Sequence, residues 1–390
     1  MPRPAAPPDP PRLAALDDAP CTYDGVIVFL AATLMTFGVV MVYSASVSLQ
    51  GAPVDWHNWW QSPLKQFVFS AAGFLAMWFT AHLNYRWLRW ERLGDGWVAG
   101  GVWGLALLAL VAMHLFGAVQ MGARRSINVP GGISIQPAEF AKIGMIVWLA
   151  ALMTYRGFDV RSLRGFGIAV GSCGLLVVLV AKEDLGTGAL LGVVMVFLLL
   201  AGGARWWHLA AIGLVGLAGG VGLILLEPYR RERIMTFIAA QPDVRGEGYQ
   251  IKQALLAIGS GGWWGRGLGN GIQKYDYLPQ DNNDFILAII CEELGIVGGI
   301  AVAVLFLAFL WRGWWVARTA PDKFGRLVAL GLTLTICLQA AFNIGVVTQS
   351  IPTKGISLPF VSAGGSGVVF LGVAAGLLAS VGRREGRGSG

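Results

Sequence analysis

The chain has 390 residues, 55% of them hydrophobic and only 13% charged, with a formal net charge of +7 and a mean hydropathy of +0.62. Such a composition excludes a soluble globular domain and indicates a polytopic membrane protein. The basic excess does not argue for nucleic acid, because Lys and Arg flanking membrane spans follow from the positive-inside bias.

In chain order, residues 1–24 are rich in Pro and Ala and contain no apolar signal core, so they read as a disordered cytoplasmic tail. Ten apolar runs are then long enough to cross about 30 Å of hydrocarbon: Gly25–Ser46, Phe67–Leu83, Trp97–Gly117, Ala138–Tyr155, Phe166–Ala181, Gly188–Gly203, Leu209–Leu226, Asp284–Trp311, Leu327–Thr348 and Gly367–Val381. The expected fold is an all-α polytopic membrane protein of about ten transmembrane helices. Residues 25–382 form its membrane domain, and 383–390 a second cytoplasmic tail. A large extracytoplasmic loop, about 227–283, separates helices 7 and 8. The short segments on the side of the termini carry Arg86, Arg89, Arg156, Arg161, Arg164, Arg205, Arg312, Arg318, Lys323, Arg326 and Arg383, and the short opposite segments carry far fewer basic residues. That asymmetry places both termini in the cytoplasm.

Within the large loop, Tyr249–Ile258 reads as a short amphipathic helix. The run Gly259–Gly271 is too rich in glycine for helix or strand. Its G-x-G spacing lacks a preceding strand and a Gly-Lys-Ser/Thr sequel, so it is not a nucleotide motif; a flexible flap over an outer cavity is the expectation. Four cysteines, one in the tail and three in apolar runs, and four scattered histidines offer neither a disulfide framework nor a His-based metal centre.

Charges inside membrane spans are rare and usually serve function. Asp284 stands where the polar loop meets an apolar run, at the outer mouth of a helix, and is the candidate general base. Glu139 and Lys142, three apart, share one face of the fourth span. The bland reading is a self-satisfying pair on one helix; the functional one has Lys142 pairing with Asp284 while Glu139 orients the lysine. Asp184, between spans five and six, is either a turn residue or a substrate contact. Arg231 and Arg233 either face lipid headgroups or match a diphosphate, which planar guanidinium forks bind well. Glu292 and Glu293, over two turns beyond Asp284, read as pairing internally or shaping a cavity rather than touching substrate. Lys354 lies in a loop kept non-helical by Pro352, Pro359 and several glycines, tolerated at a membrane only where it is buried or lines a cavity.

These pieces together resemble the SEDS (shape, elongation, division and sporulation) family. The resemblance rests on Gly122-Ala-Arg-Arg-Ser-Ile-Asn128, Ser134-Ile-Gln-Pro-Ala-Glu139-Phe-Ala-Lys142, Asp184-Leu-Gly-Thr187, Tyr229-Arg-Arg-Glu-Arg233, Gly248-Tyr-Gln250, Gly259-Ser-Gly-Gly262, Gly267-Leu-Gly-Asn-Gly271, Asp284-Phe-Ile286, Glu292-Glu-Leu-Gly295, Asn343-Ile-Gly345 and Pro359-Phe-Val-Ser362, in that order over nearly the whole chain. Gln273–Pro279 and Pro352-Thr-Lys-Gly355 resemble the division (FtsW-like) branch more than the elongation (RodA-like) branch. Ser126, Gln280, Asn282 and Ala363 depart from the family pattern, and Asp281 is an added carboxylate beside Asp284.

The resemblance implies a peptidoglycan glycosyltransferase that polymerises lipid II into glycan strands at the outer face of the bacterial cytoplasmic membrane, for septal wall synthesis. A RodA-type elongation polymerase is the alternative within the family. The rivals from other classes are a lipid II flippase and a recruiting scaffold. A positioned carboxylate suits deprotonation of the attacking sugar hydroxyl: Asp284, supported by Lys142 and Glu139, with its neighbour Asp281 as the one nearby rival. Arg231, Arg233 and Lys354 are candidates for the leaving diphosphate. The family also implies a divalent cation, Mg or Mn, arriving with that diphosphate rather than as a tightly bound cofactor. Expected partners are a class B penicillin-binding transpeptidase, other division proteins and membrane lipids.

Overall fold

The computed structural model describes residues 23–46, 64–89, 97–120, 123–129, 133–226, 231, 247–271, 284–352 and 355–383. Most of both expected tails, much of the expected outer loop, and the site candidates Arg233, Asp281 and Lys354 fall outside these residues. Eleven α-helices are described: α1 Gly25–Ser46, α2 Leu64–His82, α3 Trp97–Phe116, α4 Pro137–Thr154, α5 Leu163–Glu183, α6 Leu185–Gly202, α7 Trp206–Leu226, α8 Glu247–Gly261, α9 Ile286–Thr319, α10 Lys323–Val347 and α11 Ser366–Val381. Nine are long and apolar enough to cross a membrane, and the shorter apolar α11 completes the ten spans read from the sequence. The amphipathic segment expected at Tyr249–Ile258 is α8.

The all-α expectation missed one small feature. Three antiparallel strands, β1 Ala118–Gln120, β2 Ala123–Val129 and β3 Ile133–Ile135, lie in the order β1-β2-β3 between α3 and α4. Their shortness and the Arg-Arg-Ser core of β2 hid the ribbon among polar loop residues.

The sequence explains where the helices begin. Pro137 occupies the first turn of α4, where its missing N–H is not needed. Ser162 caps α5 by accepting from the Gly165 amide, and Asp322 caps α10 through Gly325. Helix α4 is the central post, packed by α3, α5, α6, α10 and α11, and Ala141–Val147 are buried without a break. Helix α7 has no buried residue and lies at the periphery against α5 and α6; apolar on every side, it is suited to lipid contact. The tightest pairing is between α2 and α11, through the small-residue spacing Gly372-Val-Ala-Ala-Gly376. A Cβ on Gly372 would collide with the Gly73 backbone, and one on Gly376 with the Met77 carbonyl.

Polar ties gather at the end where α1 begins and α2, α4, α6 and α11 finish. Asp24 caps α1 and takes a bidentate pair from Arg312, with Nη2 to Oδ2 at 2.7 Å. The Lys323 ammonium donates to the carbonyls of Met153 and Gly202, and Arg383 donates to His82 O. The Tyr85 hydroxyl donates to Asp322 Oδ2 at 2.8 Å, and burial, reinforced by the Asp322 carboxylate, pushes its pKa up. Both ends of the described chain therefore sit at one face.

The span expected at Asp284–Trp311 is the broken helix α9, whose break falls at Gly295 with φ of 76°. Phe285 through Glu293 are all buried, so this leading piece is enclosed by protein, and residues 296–319, about 36 Å long, form the crossing portion. The expected flap is instead fastened to this break. Arg266 N donates to Glu292 O, Gly267 N to Glu293 O, Ile296 N to Gly262 O and Val297 N to Trp263 O. A glycine-rich chain can lie this close because no Cβ intervenes: one on Gly295 or Gly265 would run into the facing backbone. Glu292 and Glu293 are fully buried behind it; Glu293 accepts from Ser44 Oγ at 2.6 Å, and that hydroxyl oxygen accepts from Gly269 N.

Candidate functional site

A cavity of about 510 Å³ opens at the face opposite the termini. Its walls come from six places in the chain: the end of α3 (Met113), β2 and β3 (Arg125, Ser126, Ser134), the start of α4 (Gln136, Glu139), the α5–α6 junction (Glu183, Asp184, Thr187), Asp284, and α10 with the loop after it (Gln339, Gly355, Ser357). Sequence reasoning placed Asp284, Glu139 and Asp184 at one site, and all three line this cavity. Arg231, also expected there, is exposed and does not line it.

Asp284 immediately precedes the enclosed piece of α9. The Asn343 amide donates to its backbone carbonyl at 2.8 Å and to Ile356 O at 2.8 Å, clamping it to the loop after α10. That loop is held rigidly: Phe360 is buried with φ of 65°, an uncommon conformation for a bulky residue. Gly38 of α1 packs against it so closely that a Cβ would lie 2.7 Å from Phe360 O.

The expected pairing of Lys142 with Asp284 is replaced by another arrangement. Lys142 is 3% exposed, and its ammonium donates to Glu139 Oε1 at 2.7 Å and to Gln339 Oε1 at 2.6 Å. The Gln339 amide in turn donates to Ser357 O at 3.1 Å, so the lysine is tied through α10 to the loop that carries Gly355. The reason is geometric: Glu139 lies one helical turn before Lys142 and reaches the ammonium first. Glu139 is also near the first turn of α11, since a Cβ on Gly367 would lie 3.6 Å from its Cγ; the positive end of that helix adds to the stabilisation of the carboxylate.

Arg125 also comes near Asp284. A Cβ placed on Gly355 would meet Arg125 Nη1 at 2.5 Å and Asp284 Oδ2 at 3.3 Å, so both groups lie against that glycine. Arg125 Nε is buried without a hydrogen-bond partner among the described residues. A guanidinium aimed into a cavity with donors to spare is suited to a phosphate or carboxylate of a ligand.

Asp184 has the turn role that one of its two readings gave it. Oδ1 accepts from the amides of Gly186 and Thr187 at 2.9 and 3.2 Å and caps α6, while the residue lines the cavity. Sequence reasoning did not single out Arg125, Gln339, Asn343 or Glu183 as site residues. Gln339 and Asn343 carried a usable signal, two amide side chains four apart in an apolar helix, which share one face. Arg125 stood beside Arg124 as one of two outer basic residues, and nothing in their spacing separated the one facing inward. Among the described residues, no three His, Cys, Asp or Glu side chains converge to hold a metal ion.

Comparison with known proteins shows the family. Residues 25–386 match the family model for FtsW, RodA and SpoVE, described as cell cycle protein. Stage V sporulation protein E of Bacillus subtilis (strain 168) is 39% identical over 363 residues, covering 92% of this chain and 97% of the relative. A probable peptidoglycan glycosyltransferase FtsW of Geobacter sp. (strain M18) is 36% identical over 365 residues, covering 93% and 97%. Among solved structures, one chain of a peptidoglycan synthase complex that coordinates polymerization and crosslinking superposes with a TM-score of 0.73 at 26% identity, covering 92% of this chain and 97% of that one. Rod shape determining protein RodA of Thermus thermophilus shares the fold at a TM-score of 0.66 and 24% identity, covering 96% and 98%. The chain belongs to the FtsW/RodA/SpoVE family of membrane-embedded cell cycle proteins.

Proposed function

We propose that this protein is a peptidoglycan glycosyltransferase that polymerises lipid II, acting in septal wall synthesis at the outer face of the bacterial cytoplasmic membrane with both termini inside. The observation that carries the reading is the cavity lined by Asp284, Glu139 and Arg125, with Lys142 paired to Glu139. Relatives of similar length named probable peptidoglycan glycosyltransferase FtsW support the activity.

In this mechanism Asp284 removes the proton from an acceptor sugar hydroxyl as its oxygen attacks the anomeric carbon of the donor. The bond from that carbon to the diphosphate oxygen breaks, and undecaprenyl diphosphate leaves with the electron pair. General-base help of this kind is typically worth about 10²–10⁴-fold. A single displacement inverts the anomeric centre and gives a β-linked strand from an α-linked donor. Arg125 stabilises the charge developing on the diphosphate, and Arg231, Arg233 and Lys354 remain candidates for the same task. Lys142, neutralised by Glu139 and anchored by Gln339, acts by fixing the cavity wall rather than by touching Asp284. A divalent cation would enter with the diphosphate and lower its charge; no dedicated ligand set is assigned to it.

The proposed partner is a class B penicillin-binding transpeptidase, in keeping with the complex that the structural neighbour forms. The test is strand synthesis in detergent. Purified protein with its transpeptidase partner is expected to convert lipid II to glycan polymer with no membrane to cross. Lipid II that stays unpolymerised, yet moves across vesicle bilayers when the protein is reconstituted, would establish a flippase instead.

A further inference from the structure

The reaction proposed above joins two lipid-linked sugars, and each carries a diphosphate. The donor's diphosphate adjoins the anomeric carbon under attack, so its place is beside Asp284, where Arg125 lies against Gly355. The acceptor presents a hydroxyl to Asp284, and its disaccharide stands between that hydroxyl and its own diphosphate. The second diphosphate therefore needs a cation on another wall.

Such a cation stands at the start of α2. Gln66, 4% exposed, donates from Nε2 to Ser362 O at 3.4 Å, which fixes the first turn of α2 to the loop before α11. Lys65, the preceding residue, is half-buried and lies over Gly365. A Cβ on that glycine would be 4.0 Å from Lys65 Cε and 4.0 Å from Ser134 O. Ser134, Ala363 and Gly364 line the cavity, so Lys65 stands at its rim. Among the described residues its ammonium makes no hydrogen bond or ion pair. Two neighbouring cations are already engaged, Arg124 by the carbonyls of His114 and Leu115 and Lys142 by Glu139 and Gln339. The backbone under Lys65 adds to its charge. Gly365 has φ of 50°, which glycine adopts freely, and α11 begins there with no side-chain cap, so the positive end of its dipole lies at the same rim.

We propose that Lys65 binds the diphosphate of the acceptor, while Arg125 serves that of the donor. This rests on the lipid II reading above. The acceptor's diphosphate is held and not cleaved, so loss of Lys65 weakens binding of that substrate without slowing the chemical step.

The test uses the full-length protein in phosphatidylcholine nanodiscs, with fluorescent lipid II as the probe. In the Asp284→Asn background, where turnover is suppressed, two lipid II molecules are expected to bind each protein. Adding Lys65→Gln should keep one and weaken the other by about tenfold or more, the contribution of a hydrogen bond to a charged group. Lys65→Arg should restore it. In the active protein, Lys65→Gln should raise the KM for lipid II addition to a preformed strand by a similar factor, with kcat little changed and the melting temperature retained. Unaltered binding and KM in Lys65→Gln, or a loss in kcat alone, would overturn the proposal. So would displacement of the second lipid II by an equal concentration of phosphatidylglycerol, since the rim would then be a general headgroup site. The activity is judged separately. Lys65-dependent binding of two lipid II molecules, with no polymer from the active protein, would overturn the polymerase and leave the diphosphate site. Polymer made equally well by Lys65→Gln would overturn the site alone.

Discussion

Replacing Lys142 with Met isolates the electrostatic heart of the cavity. The ammonium is 3% exposed and makes two short hydrogen bonds, to Glu139 and Gln339, and Met preserves most of the buried stem. Glu139, only 12% exposed at its side chain, would lose its counter-charge. Removing one member of a buried pair costs about 3–5 kcal/mol, because the survivor stays desolvated. Glu139→Gln in the same background removes the stranded charge, and neutral replacement of a buried pair is often nearly without cost. Wild type, the two single variants and the double variant therefore form a cycle, read by thermal unfolding of the purified protein in detergent. The expected coupling is at least about 2 kcal/mol, with the double variant more stable than Lys142→Met alone. Polymerisation should remain low in the double variant, since the wall is no longer fixed. Additive destabilisation, with the double variant as weak as the sum of the singles, would refute the reasoning.

Three further outcomes are expected. Gly295→Ala forces an L side chain into a left-handed backbone, at about 1–2 kcal/mol, and drives a Cβ into the Trp263–Gly265 backbone; limited proteolysis should cut sooner within 262–271, and unchanged cleavage would count against the fastening of that segment. Asn343→Ala removes the donors to Asp284 O and Ile356 O, leaving buried carbonyls unsatisfied at about 1–3 kcal/mol each; strand synthesis should fall through kcat while lipid II binding persists, and a loss confined to KM would contradict the clamp. Tyr85 has a pKa raised by burial and then by Asp322, so the folded state holds its proton more tightly than the unfolded chain. Its contribution to stability is complete below the ordinary tyrosine value near 10 and declines above it. Tyr85→Phe should remove that alkaline decline in melting temperature, and an identical decline in both proteins would exclude Tyr85 as its source.

Much of the fold was legible because a bilayer restricts the choices. A run such as Gly25–Ser46 must be helical to satisfy its backbone in lipid, and its bounds coincide with those of α1. Basic-residue asymmetry alternates the helix ends in the way the polar ties around Asp24, Asp322 and Arg383 require. The break at Gly295 was not legible, since Glu292-Glu-Leu-Gly sits in an apolar run whose periodicity does not register one glycine with positive φ. The fastening of 262–267 to that break depends on contacts between segments far apart in sequence. At the site, the residue types were readable and the partners were not. Asp284, Glu139 and Lys142 stand out as charges in apolar surroundings, yet which carboxylate takes the lysine depends on how α4 meets α10. Arg125 was indistinguishable from Arg124 until the ribbon turned one toward the cavity and the other onto the end of α3.

The central claim is that the Asp284 carboxylate takes the acceptor's proton. Asp284→Asn keeps the shape and the backbone carbonyl that Asn343 holds but removes the base. Single-turnover polymerisation of lipid II by this variant, purified with the proposed transpeptidase partner, measures the claim directly. The rate is expected to fall by about 10²–10⁴-fold, with partner binding and lipid II affinity retained. A rate within a few-fold of wild type would contradict the account.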